Sequence, residues 1–272
     1  MRKQKSPVEL LAPAGDLEKL KIAVLYGADA VYMGGKKFSL RARASNFTLK
    51  DIKEGCRFAH RHGAKVYVTM NIIPHEEDFT GVKQYLKSLE RAKVDGIIVS
   101  SMSVAELSKE VTPSLDLHIS TQLSSTNSSA VNEYQRMGFS RVVLAREVLP
   151  EDMEKIVRNT DCELEVFIHG GMCVSYSGRC MLSNHLTNRD ANRGGCAHSC
   201  RWNYDLYRNG EIINDKLQFF TIGSKDLVGL KHIFRLISLG IKSLKIEGRM
   251  KSLYYIATVV RCYRLLIDDY NK

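Results

Sequence analysis

Along the chain, short apolar runs rich in Val and Ile alternate with longer stretches whose apolar residues recur at helical spacing. The runs are VELLAP (8–13), AVYMGG (30–35), KVYVTMNI (65–72), GIIVSS (96–101), LDLHIST (115–121), RVVLARE (141–147) and LEVFIHGG (164–171). Each predicts a strand, and continuous apolar runs separated by helices predict a parallel sheet covered on both faces. The helical stretches carry start and stop signals. Asp16 precedes LEKLKIAVLYG, which Gly27 ends, and Thr48 and Asp51 have capping-box spacing ahead of KDIKEGCRFAHRHG. DFTGVKQYLKSLERAK and SVAELSKEV read as further helices.

The rhythm breaks after the seventh run. No helix follows. The chain enters a cysteine- and glycine-rich stretch and then WNYDLYRNGEIIND, whose Asn209-Gly210 between alternating residues predicts a β-hairpin. The alternation resumes with a helix over SKDLVGLKHIFRLISLG (224–240), an eighth strand in KSLKIEGR (242–249) and an eighth helix in SLYYIATVVRCYRLLIDDY. Eight strand–helix units predict a single (β/α)₈ barrel over 1–272 with an insertion at 170–224, and a doubly wound open sheet is the second choice. No internal repeat, low-complexity tract or linker composition interrupts it.

Composition changes this picture little. Hydrophobic residues are 44% and charged residues 26% of the 272, ordinary for a chain with a sizeable core. No apolar run approaches the roughly 18 residues needed to span a bilayer, and the basic start MRKQKSPVELLAPAGD lacks the apolar length of a signal peptide. A cytoplasmic, reducing setting is expected, in which clustered cysteines bind metal or do chemistry more often than they form disulfides. Forty Lys and Arg against thirty Asp and Glu give a formal charge of +10, which suits a polyanion such as RNA or an acidic substrate, and equally a well-solvated surface.

In such a barrel the reactive groups stand where strands end and loops begin. Polar residues gather there: Asn71 after the third strand; His118, Ser120, Thr121 and Gln122 at the fifth; Arg146 and Glu147 at the sixth; His169 at the seventh; Glu247 and Arg249 at the eighth. Strand residues facing the core are expected to be apolar, so charges at strand ends are expected to serve a site.

Four of the seven cysteines, Cys173, Cys180, Cys196 and Cys200, fall within 28 residues at spacing C-x6-C-x15-C-x3-C. The tight paired knuckles of zinc ribbons are missing. Loose spacing on a long loop suits an iron–sulfur cluster, whose thiolates converge from several directions. Gly170, Gly171, Gly178, Gly194 and Gly195 allow sharp turns beside the sulfurs, and Arg179, Arg189, Arg193 and Arg201 offset thiolate charge. Zinc held by three of the cysteines with His169, His185 or His198 is the rival reading. A lone nucleophilic cysteine with a histidine base leaves three thiols unexplained. Cys56, Cys162 and Cys262 read as free buried thiols.

ELLAPAGD, GADAVYMGG, HISTQ, RVVLARE, the segment E-x-F-x-H-G-G-M-C-x6-C-M-L-S (165–183) and IEGR together resemble the collagenase-like peptidase family, unclassified peptidase family 32, over essentially the whole chain. The likeness is nearest to bacterial members that hydroxylate C5 of the tRNA wobble uridine. Other members act on ribosomal RNA or in oxygen-independent ubiquinone synthesis. The resemblance implies a [4Fe–4S] site at Cys173, Cys180, Cys196 and Cys200, tRNA as partner, and prephenate as source of the hydroxyl oxygen. It also implies a C-terminal domain in longer members that is absent here. For a dicarboxylate such as prephenate, Arg146, Arg179 and Arg249 are the candidate guanidinium ligands, with Asn71 beside them. His118, Gln122 and His169 are the polar partners and Glu247 the acid/base group.

The family name also asks for peptidase machinery. The closest approach to H-E-x-x-H is His75-Glu76-Glu77-Asp78-Phe79, which lacks the second histidine, and no G-x-S-x-G elbow occurs. Peptide hydrolysis is the alternative activity, and a non-enzymatic RNA-binding barrel the third reading.

Overall fold

A computed structural model describes residues 8–40, 46–214 and 220–272. Strands β1 (Glu9–Ala14), β2 (Ala30–Gly34), β3 (Lys65–Met70), β4 (Gly96–Val99), β5 (Asp116–Ile119), β6 (Arg141–Val143) and β7 (Glu163–Gly170) each pair in parallel with the next. The short strands β8 (Tyr207–Arg208), β9 (Glu211–Ile212) and β10 (Leu227–Val228) follow, then β11 (Ser243–Ile246), which lies between β7 and β1 and closes the barrel. The expected (β/α)₈ architecture is therefore the observed one.

Helices α1 (Leu17–Leu25), α2 (Leu49–Arg61), α3 (Val82–Arg91), α4 (Met102–Val111), α5 (Ser128–Arg136) and α6 (Pro150–Arg158) fill the first six connections. A one-turn α7 (Leu182–Thr187) lies in the insertion, and α8 (Ile233–Leu239) and α9 (Leu253–Tyr270) flank β11. The caps are those foreseen: Asp16 accepts the Lys19 N–H at 2.9 Å, and Thr48 and Asp51 form a reciprocal capping box. The Asn209-Gly210 turn has positive φ at both residues (53° and 85°), as a two-residue hairpin between β8 and β9 requires.

Three expectations need correction. The barrel strands are shorter than the apolar runs: β6 stops at Val143, leaving Arg146 and Glu147 on a loop. The helix expected over 224–240 starts only at Ile233. Before it, β10 pairs antiparallel with Gly170 and His169 of β7, and Gly229 passes so close that an added Cβ would stand 2.6 Å from the Ile168 carbonyl oxygen. Part of the insertion, 215–219, lies outside the described residues.

The third correction concerns the barrel interior. The large apolar core lies outside the strands, between sheet and helices, while inside the barrel, among the described residues, Leu11, Ala30, Tyr32, Tyr67 and Ile98 form a small apolar cluster. Polar and charged side chains share that space. Glu165 is fully buried and bonds the Lys245 ammonium at 2.7 Å and Arg141 at 3.3 Å. Arg141 also bonds Glu9 at 2.5 Å and Glu163 at 2.8 Å, and the Tyr67 hydroxyl donates to Glu9 at 2.9 Å. Burial alone would raise the Glu165 carboxyl, but Lys245 and Arg141 hold it down at about 2. Burial draws Lys245 below its ordinary value despite the carboxylate beside it.

Removing one partner of such a pair strands a buried charge. Lys245→Met is expected to cost about 3–5 kcal/mol in denaturant unfolding at neutral pH, and an unchanged midpoint would exclude a structural role for the pair. A carboxyl with a depressed folded pKa contributes its stability above the unfolded value of about 4.3 and loses it as pH falls. The wild-type unfolding free energy should therefore drop between that value and about 2, the folded value of Glu165, and Glu165→Gln should flatten that fall.

Candidate functional site

The C-terminal ends of the strands open on a cavity of about 310 Å³. Its floor is Tyr32, Ile98, Phe167 and Lys245, whose ammonium lies 4.5 Å from the Tyr32 ring centroid and 5.4 Å from that of Phe167. Asn71, Gln122, Arg146, Glu247 and Arg249 stand on its walls. The insertion forms the roof, and all four candidate cysteines line it.

Loops after three strands hold the roof down. Ser177 donates through its hydroxyl to Glu147 at 2.8 Å and through its N–H at 3.1 Å, while Ser124 donates to the Ser177 carbonyl at 2.5 Å. Arg193 donates to the Ile73 carbonyl at 2.8 Å and pairs with Asp78 at 2.6 Å. Gly178 seats the contact: its φ is 74°, and a Cβ there would stand 2.0 Å from the Gln122 carbonyl oxygen. Glu147, read from sequence as a residue of the polar ring, is a tether.

Arg146 lies 4.0 Å above the Phe167 ring and donates to the Gly171 carbonyl at 2.8 Å, while its Nε is buried without a hydrogen-bond partner. Arg249 is buried and largely committed to protein: it donates to Ser39 at 3.0 Å, to Thr69 at 3.4 Å and to the Leu40 carbonyl. Asn71 accepts the Leu40 N–H at 3.2 Å and donates to Ser120 at 3.4 Å.

Three expected site residues stand elsewhere. His118 is 2% exposed inside the barrel, edge-on to Tyr67 at 4.7 Å, and does not line the cavity. Burial, followed by the charge of Arg141, pushes its imidazole down to about 3, so it is neutral. His169 points away from the barrel because the register of β7 against β11 shifts between Phe167 and His169. Its Nδ1 lies 3.2 Å from the Tyr263 hydroxyl on α9. Arg179 is exposed and bonds Ser124 at 3.2 Å on the roof's flank, outside the cavity. Conversely, Lys245 was read only as part of a strand, although it alternates with the apolar Leu244 and Ile246.

Cys180, Cys196 and Cys200 are part-buried and Cys173 is exposed. Burial raises the Cys200 thiol, and thiolate charge on Cys173, Cys196 and Cys180 raises it further against the pull of Arg201, so the four are electrostatic neighbours. Among the described residues, no three Cys, His, Asp or Glu side chains gather closely enough for a single metal ion. Zinc–sulfur bonds of about 2.3 Å would bring tetrahedral thiolates to within about 3.8 Å of one another, whereas a four-iron cube spreads its ligands more widely. Of the histidines weighed as zinc partners, His198 lines the cavity and His169 faces α9. Cys56 and Cys162 are buried as expected, but Cys262 is exposed on α9.

Comparison with known proteins places the chain. The family model described as peptidase family U32 matches residues 15–272. The chain is 51% identical over 267 residues to the tRNA hydroxylation protein P1 of Bacillus subtilis (strain 168), covering 96% of this chain and 63% of that one. It is 34% identical over 275 residues to a protein of Porphyromonas gingivalis (strain ATCC BAA-308 / W83) named collagenase, covering 96% and 66%. It thus spans slightly less than two thirds of both relatives. The solved structure of the U32 peptidase Mk0906 shares the fold at TM-score 0.58 and 12% identity, covering 93% of this chain and 97% of that one. No helix of the described residues is long and apolar enough to cross a membrane. By the extent of the family match and the identity to these relatives, the chain belongs to peptidase family U32.

Proposed function

We propose that the chain is an RNA-modifying enzyme. It hydroxylates a tRNA base, C5 of the wobble uridine, with a [4Fe–4S] cluster on Cys173, Cys180, Cys196 and Cys200 and with prephenate as oxygen donor. The observation that carries this reading is that the four thiols line one cavity with Arg146 and Lys245. The 51% identical relative named a tRNA hydroxylation protein supports the substrate class.

The residues present fit such a cluster. The donor set is four thiols turned to one space, and Gly171 lets the roof pass where a Cβ would stand 2.6 Å from Arg201. When bound, the cluster supplies one-electron redox chemistry at the roof. The chain's own groups do the binding. The Arg146 guanidinium and the Lys245 ammonium are two cations at one cavity, matched to a dicarboxylate. Glu247 on the wall is the group to hold or pass a proton near the reacting base, and Gln122 is a hydrogen-bonding partner for it. A base must leave its stack to reach an enclosed site, and the +10 charge favours the phosphate backbone that delivers it. Peptide hydrolysis is the second reading, favoured by the relative named collagenase; thiolates committed to a cluster would not serve it as nucleophiles.

The test is nucleoside mass spectrometry of tRNA from a deletion strain. Wild-type protein should restore hydroxyuridine and Cys173→Ala should not, and purified Cys173→Ala should lose the broad absorbance near about 400 nm that such clusters give. Equal restoration by both proteins would remove the cluster from the reaction, and a deletion strain with unchanged hydroxyuridine would remove the substrate. Release of peptides from gelatin, undiminished in Cys173→Ala, would favour hydrolysis instead.

The two cavity arginines should also separate. Arg146→Lys is expected to lower turnover about ten- to hundredfold, the worth of a charge-assisted hydrogen bond, with its melting temperature kept. Arg249→Lys should lower the melting temperature first, because Arg249 braces Ser39, Thr69 and Leu40. Unchanged turnover in Arg146→Lys would strike that residue from the site.

A further inference from the structure

A second cavity, of about 470 Å³, lies on the outer wall between α2 and α3. Lys53, Arg57, His60 and Arg61 of α2 face it together with Arg91 and Lys93 at the end of α3, over a floor that includes Cys56 and Ala92. The first four recur along one stripe of α2, at helical spacing. All six basic residues are exposed. Among the described residues, His60 alone of the six has an acidic partner, Asp95 at 2.8 Å. The side chains of Lys53, Arg57, Arg61, Arg91 and Lys93 have no ion pair or hydrogen bond among the described residues. The Cys56 thiol beneath them is raised by burial to about 12 and adds no negative charge.

Elsewhere on this surface cations commonly meet carboxylates, as Lys21 does Glu54 and Lys83 does Glu110. Helix C-termini attract cations, and that accounts for Arg61 and Arg91 in the last turns of α2 and α3. It does not account for Lys53 and Arg57, one to two turns earlier, because the effect of a helix end fades within its last turn. Five uncompensated cations around one concavity repel each other, and an anion relieves that repulsion.

We propose that this cleft binds the phosphodiester backbone of RNA, apart from the nucleotide at the barrel mouth; the proposal rests on the RNA-modifying reading and adds to it the anchoring surface. Two features select a polymer over a single phosphate. The stripe from Lys53 to Arg61 rises about 12 Å along the helix, enough to follow successive phosphates. The cleft's lining has no Phe, Tyr or Trp to stack a base and no Asn or Gln to read one, and its one imidazole, His60, is tied to Asp95, so contact is with the backbone and independent of sequence. Because α2 and α3 run opposite to the strands, their C-terminal halves lie toward the end of the barrel away from the mouth. A bound RNA would reach around the outer wall.

The experiment compares two charge-matched triple variants. Lys53→Gln/Arg57→Gln/Arg91→Gln removes half of the cleft's six basic side chains. Lys231→Gln/Lys242→Gln/Arg261→Gln removes three other exposed cations. Binding of unfractionated tRNA is followed by fluorescence anisotropy across a salt series, with melting curves to confirm that both variants fold. The cleft variant should bind about tenfold or more weakly, and its log–log salt slope should fall by about 2–3, since each phosphate contact contributes about 0.7–0.9. The control should stay within about twofold of wild type. Equal losses in both variants, or none in the cleft variant, would overturn the cleft as an RNA site while leaving the RNA-modifying reading standing. Loss of inorganic tripolyphosphate binding with tRNA binding intact would assign the cleft to a small polyanion and overturn the proposal. Wild-type protein that binds no tRNA at any salt would instead bring down the RNA reading itself.

Discussion

A carboxylate sealed inside a barrel must have cations beside it, and the arrangement of this molecule follows from that demand. Glu165 on β7 reaches Lys245 on β11 and Arg141 on β6, and Arg141 in turn reaches Glu9 on β1. Four strands contribute to one ionic chain across the barrel. Burying a charge alone costs far more than burying a matched set with good geometry, so these strands are locked in the register that brings the set together. The same network fixes the floor of the cavity, because Lys245 is both its cationic end and a lining residue.

Above this floor the roof is fixed by small polar contacts. Glu147, Ser124, Asp78 and the Gly178–Gln122 approach tie the cysteine stretch to loops after β3, β5 and β6. An irregular insertion with little regular structure gains its order from hydrogen bonds to rigid strand ends, a common way for a loop to carry function. The anchors at Ser177–Gly178 and at Arg193 fall between the thiols, one on either side of Cys180, and hold the segment against the barrel mouth.

The order of elements was legible in the sequence because outward-facing strand residues and buried helix faces are both apolar, and their two periods differ. The caps at Asp16 and Thr48 and the turn at Asn209-Gly210 were legible because each has a local physical cause. The interior was misread. Val, Ile and Leu on the outer faces made β6, β7 and β11 look continuous, although Arg141, Glu163, Glu165 and Lys245 alternate with them. His118 and His169 were placed at the mouth by proximity to strand ends. A strand's pleat sends one residue inward and the next outward, and the register shift beside His169 reverses that parity. Arg179 was grouped with the other arginines by sequence position, yet its side chain bonds the outer flank of the roof. The cysteines and Arg146 do line the cavity, Arg146 because its guanidinium lies on the inward-facing Phe167 ring.

The ionic chain also bears on how the polypeptide is made. Glu9 and Ser243, side by side in register, are 234 residues apart. A ribosome adding about 5–20 residues per second leaves β1 without its second neighbour for on the order of ten to fifty seconds. Once Glu165 has been added, late in that interval, it can meet Arg141 but must wait for Lys245, so the inner wall of the unfinished barrel lacks one cation. The strand that supplies this cation, β11, is also the one that joins β7 to β1, so charge matching and barrel closure fall to the same segment.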